Sequence, residues 1–185
     1  MDKNEKHLNE FQIALRGFTR NRLAVGSACV LLALYAAALL AGFFAPYSFQ
    51  NEDRNYSYAP PASVRFFDGG KFVGPYVPSM QLTFNEYNAR IYRIDLDEKY
   101  PVRFFVPGDE YRVLGVFPCR YHLFSVDSPG RIYLLGADAR GRDVFSRLLY
   151  GAQVSLSIGL IGVFISFTIG LLIGGISGYY GGRLD

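Results

Sequence analysis

Reactive side chains are scarce in this 185-residue sequence, which has two cysteines and two histidines. Cys29 lies in an apolar run and Cys119 in a distant polar segment, so with His7 and His122 they make neither a disulfide framework nor a zinc site. A basic excess is missing too. The 19 Lys and Arg face 16 Asp and Glu, a net charge of +3, and that balance speaks against a nucleic-acid binder. The one Gly-Lys pair, Gly70-Lys71, is followed by Phe72, so there is no G-x-x-x-x-G-K-[ST] loop and no ATP hydrolysis by that route. Nor is there a G-x-S-x-G nucleophile elbow, and His122, between Tyr121 and Leu123, reads as a strand residue without a Ser or Asp partner at a diagnostic spacing. The pairs Asp97-Glu98 and Asp109-Glu110 stand beside turns and read as solvated loop charges. No catalytic, cofactor-binding or metal-ligating residue is assigned, and the chain reads as a non-enzyme.

Two long stretches hold no charge at all. Leu23–Ala45 runs for 23 uncharged residues, about 35 Å as a helix against the roughly 30 Å of a bilayer core. Val154–Gly178 runs for 25 more. Both are read as membrane spans. The first is too long for a signal h-region and continues past the small-x-small pattern at Ala36 and Ala38. Residues 1–22 carry five Lys/Arg, of which Arg16, Arg20 and Arg22 directly precede the span, so the N-terminus is expected in the cytoplasm. Phe11, Ile13, Leu15 and Phe18 are interspersed with Arg16 and Arg20, as in a helix lying on the inner surface or in a solvated tail that fixes topology. Arg140, Arg142 and Arg147 before the second span argue the other way, and the first helix is taken to decide.

Residues 46–135 then form an external segment. Turn signals at Asp68-Gly69-Gly70, Pro107-Gly108-Asp109 and Ser128-Pro129-Gly130 separate β-prone runs at 63–67, 89–94, 102–106, 111–116, 121–126 and 131–135, which predicts a small antiparallel subdomain. Pro60-Pro61 and Pro75 to Pro78 predict extended or irregular chain in its first third. In residues 136–153, Val144, Phe145, Leu148 and Leu149 fall on one helical side. Arg142, Asp143, Ser146 and Arg147 fall on the other, with Asp143 and Arg147 placed for an i,i+4 ion pair. That pattern predicts an interfacial helix whose charges form a solvated face. Within the second span Gly162, Ser166, Gly170, Gly174 and Gly178 recur every fourth position, a small-residue row suited to close approach of another helix in lipid. Residues 179–185 begin a cytoplasmic loop.

The string LGADARGRDVFSRLLYGAQVSLSIGL, followed by GYYGGRLD, resembles the inner-membrane permease subunits of the bacterial oligopeptide/dipeptide/nickel ABC transporter family. Members of that family typically read LGTD-x-x-GRDV-x-SR-x-x-YGAR and GYYGG-x-x-D. The residues that carry the likeness are Gly136, Asp138, Gly141, Arg142, Asp143, Ser146, Arg147, Tyr150 and Gly151, then Tyr179, Tyr180, Gly181, Gly182 and Asp185. Ala137 stands where Thr is usual and Gln153 where Arg is usual. FTRNRLAVGSA, with Arg20, Asn21, Leu23 and Ala24, and the exit Ala45-Pro46-Tyr47 also resemble that family's first span. A stretch from about Asn51 to Ile132 exceeds the short outer loop of typical members and takes no role from the likeness. The resemblance implies an α-helical, multi-pass protein of the bacterial inner membrane, here the N-terminal part of a six-span permease. It also implies a path for peptides or similar solutes, made with a second permease subunit, separate ATP-binding subunits, an external solute-binding protein and the surrounding lipid. The competing reading is a two-span anchor displaying the β-rich segment as a binding or assembly module. Further apolar spans encoded past Asp185 would separate the two.

Overall fold

The computed structural model describes residues 10–113 and 115–181. The chain divides into two compact units, one ending at Ala37 and the other beginning at Ala38. The first unit holds α1 (Glu10–Arg20) and most of α2 (Arg22–Leu39). Asn21 separates the two helices by capping the second: its Oδ1 accepts the backbone N–H of Leu23 at 3.1 Å and of Ala24 at 3.4 Å. Beyond Arg22, α2 carries no charge.

The second unit contains the one-turn helix α3 (Ala41–Phe44), four strands, and α4 (Val144–Tyr180). Strands β1 (Arg65–Asp68), β2 (Lys71–Phe84), β3 (Arg90–Val113) and β4 (Phe117–Val126) form one antiparallel sheet in sequence order. Asp68-Gly69-Gly70-Lys71 closes the first hairpin, both glycines having positive φ as a two-residue turn of the favoured twist requires.

The strand pattern departs from the sequence reading in three places. Residues 71–84, whose prolines predict irregular chain, form β2. Pro75 and Pro78 are tolerated because both sit at irregularities of register, Pro75 opposite the shift between Arg65 and Phe67, and Pro78 at the shift before Ser79. The expected turn at Pro107-Gly108-Asp109 is instead a bulge within β3, lying between the pairs Pro107↔Tyr121 and Tyr111↔Cys119. The run at 131–135 is not a strand. Ile132 and Tyr133 are buried in a core with Tyr47, Ala59, Val77 and Val126, where the loops meet the sheet.

The helical boundaries differ as well: the first apolar run is not one helix from Leu23 to Ala45, since α2 ends at Leu39 and α3 follows after Leu40. No break separates the expected interfacial segment 136–153 from a span at 154: α4 is continuous from Val144 and 37 residues long, about 55 Å. Residues 136–143 are loop. Both α2 and α4 are long and apolar enough to cross a membrane.

The β insert leaves and rejoins the scaffold at a narrow neck, where the backbone N–H of Ala62 donates to the carbonyl of Tyr133 at 2.7 Å. Residues 51–61 therefore belong to the scaffold, and the insert proper begins near Ser63 rather than at Asn51. A second anchorage lies over α3. The Tyr111 ring covers Gly42 so closely that a Cβ there would overlap it. Its hydroxyl donates to the carbonyl of Tyr121 at 2.8 Å. The buried ring of His122 links two segments, with Nδ1 at 2.6 Å from the carbonyl of Ala45 and Nε2 at 2.9 Å from that of Asp109. Asp109 is not a solvated loop charge, since its Oδ2 accepts the N–H of Ser48 at 2.8 Å and Nδ2 of Asn51 at 3.3 Å.

This contact yields a direct expectation. Gly42→Ala forces the Tyr111 ring off α3 and costs about 1–3 kcal/mol, the usual range for overpacking. In a Tyr111→Ala background the same glycine change costs much less. Thermal unfolding of the four proteins in detergent measures the coupling, and an equal cost in both backgrounds would show that the two positions do not touch.

Candidate functional site

The loop before α4 and the first turns of that helix bring together seven of the residues singled out from the sequence: Gly136, Asp138, Gly141, Arg142, Asp143, Ser146 and Arg147. Two glycines let the loop pass close to the segment that follows the first apolar run. Gly136 has φ +80°, and a Cβ there would lie 2.7 Å from the carbonyl oxygen of Ala59. Gly141 has φ +75°, and its Cβ would overlap the carbonyl group of Asp53. A side chain at either position meets both backbone strain and a clash. Pairing of the loop with residues 58–59 follows, Tyr58 N–H donating to the Asp138 carbonyl and Ala137 N–H to that of Ala59, each at 2.9 Å.

Asp138 organises the charges. Its Oδ1 accepts the N–H of Arg140 at 2.8 Å and of Arg142 at 3.0 Å. Its Oδ2 accepts Nε of Arg142 at 2.9 Å and also pairs with Arg147. Burial alone pushes this carboxyl up, but the Arg142 side chain and the backbone N–H groups of Arg142 and Arg140 outweigh it and hold the pKa at about 2. Arg142 and Arg140 also face Glu52, at 3.7 Å and 3.3 Å.

Asp143 does not pair with Arg147, as the i,i+4 spacing suggests, because Asp138 already holds that arginine. Asp143 instead caps α4: its Oδ2 accepts the N–H of Ser146 at 2.8 Å and the hydroxyl of Ser146 at 2.6 Å. Ser146 Oγ in turn accepts the N–H of Tyr47 at 3.4 Å. The expected solvated face is thus partly a buried one, with Asp143 and Ser146 at 3% and 0% exposure. Desolvation raises the Asp143 carboxyl, against the lowering effect of the Ser146 hydrogen bonds. Around this cap Leu149 packs on Ala41 and Ala45, Tyr150 lies 5.1 Å from Phe49, and the Tyr47 hydroxyl accepts the N–H of Ile132 at 2.9 Å.

Other residues named from the sequence lie elsewhere. Gly151 is on the exposed surface of α4, and Tyr179, Tyr180 and Gly181 are at its far end, about 50 Å along the helix from Ser146. Gly182 and Asp185 lie outside the described residues. Ser166 shares the middle of α4 with the glycine row, and a Cβ at Gly162, Gly170, Gly174 or Gly178 would meet nothing within 4 Å. Sequence reasoning places Tyr47 only in the exit string and misses Glu52, Asp53 and Tyr133, which complete the loop's surroundings. Their positions are set by tertiary pairing, and no motif around them marks it. Among the assembled groups the Ser146 hydroxyl is taken up by the Asp143 carboxylate as part of the helix cap. Their chemistry is that of a clamp, fixing the start of α4 against the chain that follows α3.

The clamp carries its own pH signature. The folded pKa of Asp138 lies below the unfolded value of 3.8, so its contribution is complete above that value and is lost as pH falls through about 2. It amounts to about 2 kcal/mol by the linkage relation. Asp138→Asn is expected to lower thermal stability at neutral pH and to flatten the profile between about pH 4 and 2. Unfolding midpoints across that range check it, and a wild-type slope retained in the variant would assign the titration to another group.

Residues 9–61 match the N-terminal TM domain of oligopeptide transport permease C. The dipeptide transport system permease protein DppC of Haemophilus influenzae is 53% identical over 81 residues, covering 44% of this chain and 26% of that protein. Its counterpart in Bacillus subtilis is 47% identical over 57 residues, 31% of this chain and 18% of the relative. The nickel transport system permease protein NikC of Escherichia coli is 45% identical over 67 residues, 33% of this chain and 24% of that protein. The chain thus spans only about a quarter or less of the length of these relatives, and no solved structure matches it. With the first apolar run and its exit matched by a family domain, and the Asp138–Ser146 clamp built on that exit, the chain is similar to the N-terminal part of permease subunits of the oligopeptide/dipeptide/nickel ABC transporter family.

Proposed function

We propose that this chain is the N-terminal part of a permease subunit of a binding-protein-dependent ABC importer, contributing to the transmembrane path for peptides or similar small solutes. The observation that carries this reading is the clamp. Residues of the family-like string before α4 grip the segment that closes the family-matched N-terminal domain, so the two separated parts of the likeness meet in one buried hydrogen-bonded unit. Such a unit sets where one apolar helix begins relative to the end of another apolar run, as a permease needs if its helices are to line a path. An anchor that only displays the β-rich segment has no need of that precision. The relatives' names support peptide and nickel transport for those proteins. In this reading a second permease subunit completes the path, separate ATP-binding subunits supply energy, and an external solute-binding protein delivers cargo. The protein resides in the bacterial inner membrane with residues 1–22 cytoplasmic, the insert outside, and further spans making up a six-span subunit.

Topology is open to direct measurement. A reporter fused after Asp185 is expected to be cytoplasmic and one placed near Ser128 external; both on one side would overturn the two-span arrangement.

The glycine row of α4 is exposed, as is nearly all of that helix beyond Val154, and its small residues, rather than its exposure, mark it as a face for another helix. In the whole subunit Gly170→Leu and Gly174→Leu are expected to abolish co-purification of the partner permease and ATP-binding subunits from membranes, while Ile173→Leu leaves recovery unchanged. Leu favours helix and insertion over Gly, so α4 still forms and the loss reads on association alone. Normal recovery of both glycine variants would remove the packing role.

A further inference from the structure

We propose that the tip of the β3–β4 hairpin dips into the lipid leaflet on the insert's side of the membrane, giving the protein a third point of bilayer contact besides its two apolar helices. The inference rests on the reading that those helices span the membrane. Ala41 and Ala45 pack on Leu149, which follows Arg147, the last charge before an uncharged stretch reaching Tyr180. Residues 41–45 also close the uncharged run that begins at Leu23. Gly42, Phe43 and Ala45 therefore lie at the edge of the hydrocarbon.

The β3–β4 hairpin is fastened to these same residues. Tyr111 covers Gly42, the Phe105 ring stands 6.1 Å from that of Phe43, and His122 bonds the carbonyl of Ala45. Tyr111 pairs with Cys119, so the hairpin continues past this contact only through its tip. Between Arg112 and Arg120 no residue is charged, and Val116 and Phe117 are 68% and 64% exposed.

The other two hairpin tips among the described residues differ in kind. One carries Asp68 and Lys71, and the other Asn85, Glu86 and Asn88. Exposed aromatics stand at those tips as well, Phe67 and Phe72 at the first and Tyr87 at the second, but of the three only the tip fastened to residues 42–45 carries no charged residue. The exposed Arg112 and Arg120 flank it, spaced to meet lipid phosphates while Val116 and Phe117 enter the acyl region. Tyr121, Phe104 and Phe105, also exposed, are aromatic side chains of the sort that collect at membrane interfaces.

The chain has no tryptophan, so single introduced indoles report depth without background. Phe117→Trp, Tyr87→Trp and Ile165→Trp are made in the full chain and reconstituted in nanodiscs with lipids brominated on the acyl chains, with iodide as the aqueous quencher. The tip indole is expected to lose several-fold more emission to bromolipid than the Tyr87 position and to be shielded from iodide. Iodide quenching at Phe117→Trp equal to that at Tyr87→Trp overturns the proposal. So does shielding from both quenchers, which means that protein covers the tip, and so does equal bromolipid quenching at both positions, which would make lipid contact a property of the whole sheet. Failure of bromolipid to quench Ile165→Trp would instead overturn the spanning role of α4 and is read separately.

Discussion

The carboxylate of Asp143 is the point on which the rest of the second unit depends. The first backbone N–H groups of a helix lack intrahelical acceptors, and in α4 this side chain takes that of Ser146 while also accepting the hydroxyl of the same residue. The same hydroxyl oxygen receives the N–H of Tyr47, so capping one helix and positioning the exit of the preceding apolar run are a single event. Neighbouring contacts follow from it. With Ser146 held, Leu149 one turn later faces Ala41 and Ala45, two small residues that let the backbones come close.

Asp138 supports the cap from outside. It gathers Arg142 and Arg147 on one carboxylate, which leaves Asp143 to its hydrogen bonds with Ser146 rather than to an ion pair at the helix surface. Two carboxylates five positions apart thus have opposite electrostatic settings. One is held low by arginine and backbone donors, the other raised by burial. Burying both beside arginines would have cost more desolvation than such pairs return.

A long β insertion is compatible with this scaffold because its ends are already adjacent. The Ala62 to Tyr133 hydrogen bond closes the neck, and chain added beyond such a neck costs only loop-closure entropy, which grows slowly with length. The insert does not hang freely from it. Tyr92 donates from its hydroxyl to the carbonyl of Ser57 at 2.6 Å, and Tyr111, His122 and Asp109 grip the stretch from Gly42 to Asn51. These separate attachments fix the orientation of the sheet within the second unit.

What can be read along the chain is local. The uncharged runs, the Asp68–Lys71 turn and the lack of a nucleotide loop depend only on residues within a few positions of one another, which is why composition and spacing reveal them. The strand at 71–84 is hidden because its prolines are acceptable only where partner strands slip in register, and that slip belongs to β1 and β3. The true partners of Asp143 and Arg147 are hidden because i,i+4 spacing offers a pairing that a third group, Asp138, takes over. Hydrophobic length needs no partner to be recognised, so the primary structure suffices to find two helices apolar enough to cross a membrane on either side of a β-rich segment, though not where each begins and ends. Which carboxylate caps α4 and which glycines are closely covered are settled only by packing. The decisive contacts there join residues 77, 85 and 99 positions apart, and no local pattern encodes the geometry that brings them together.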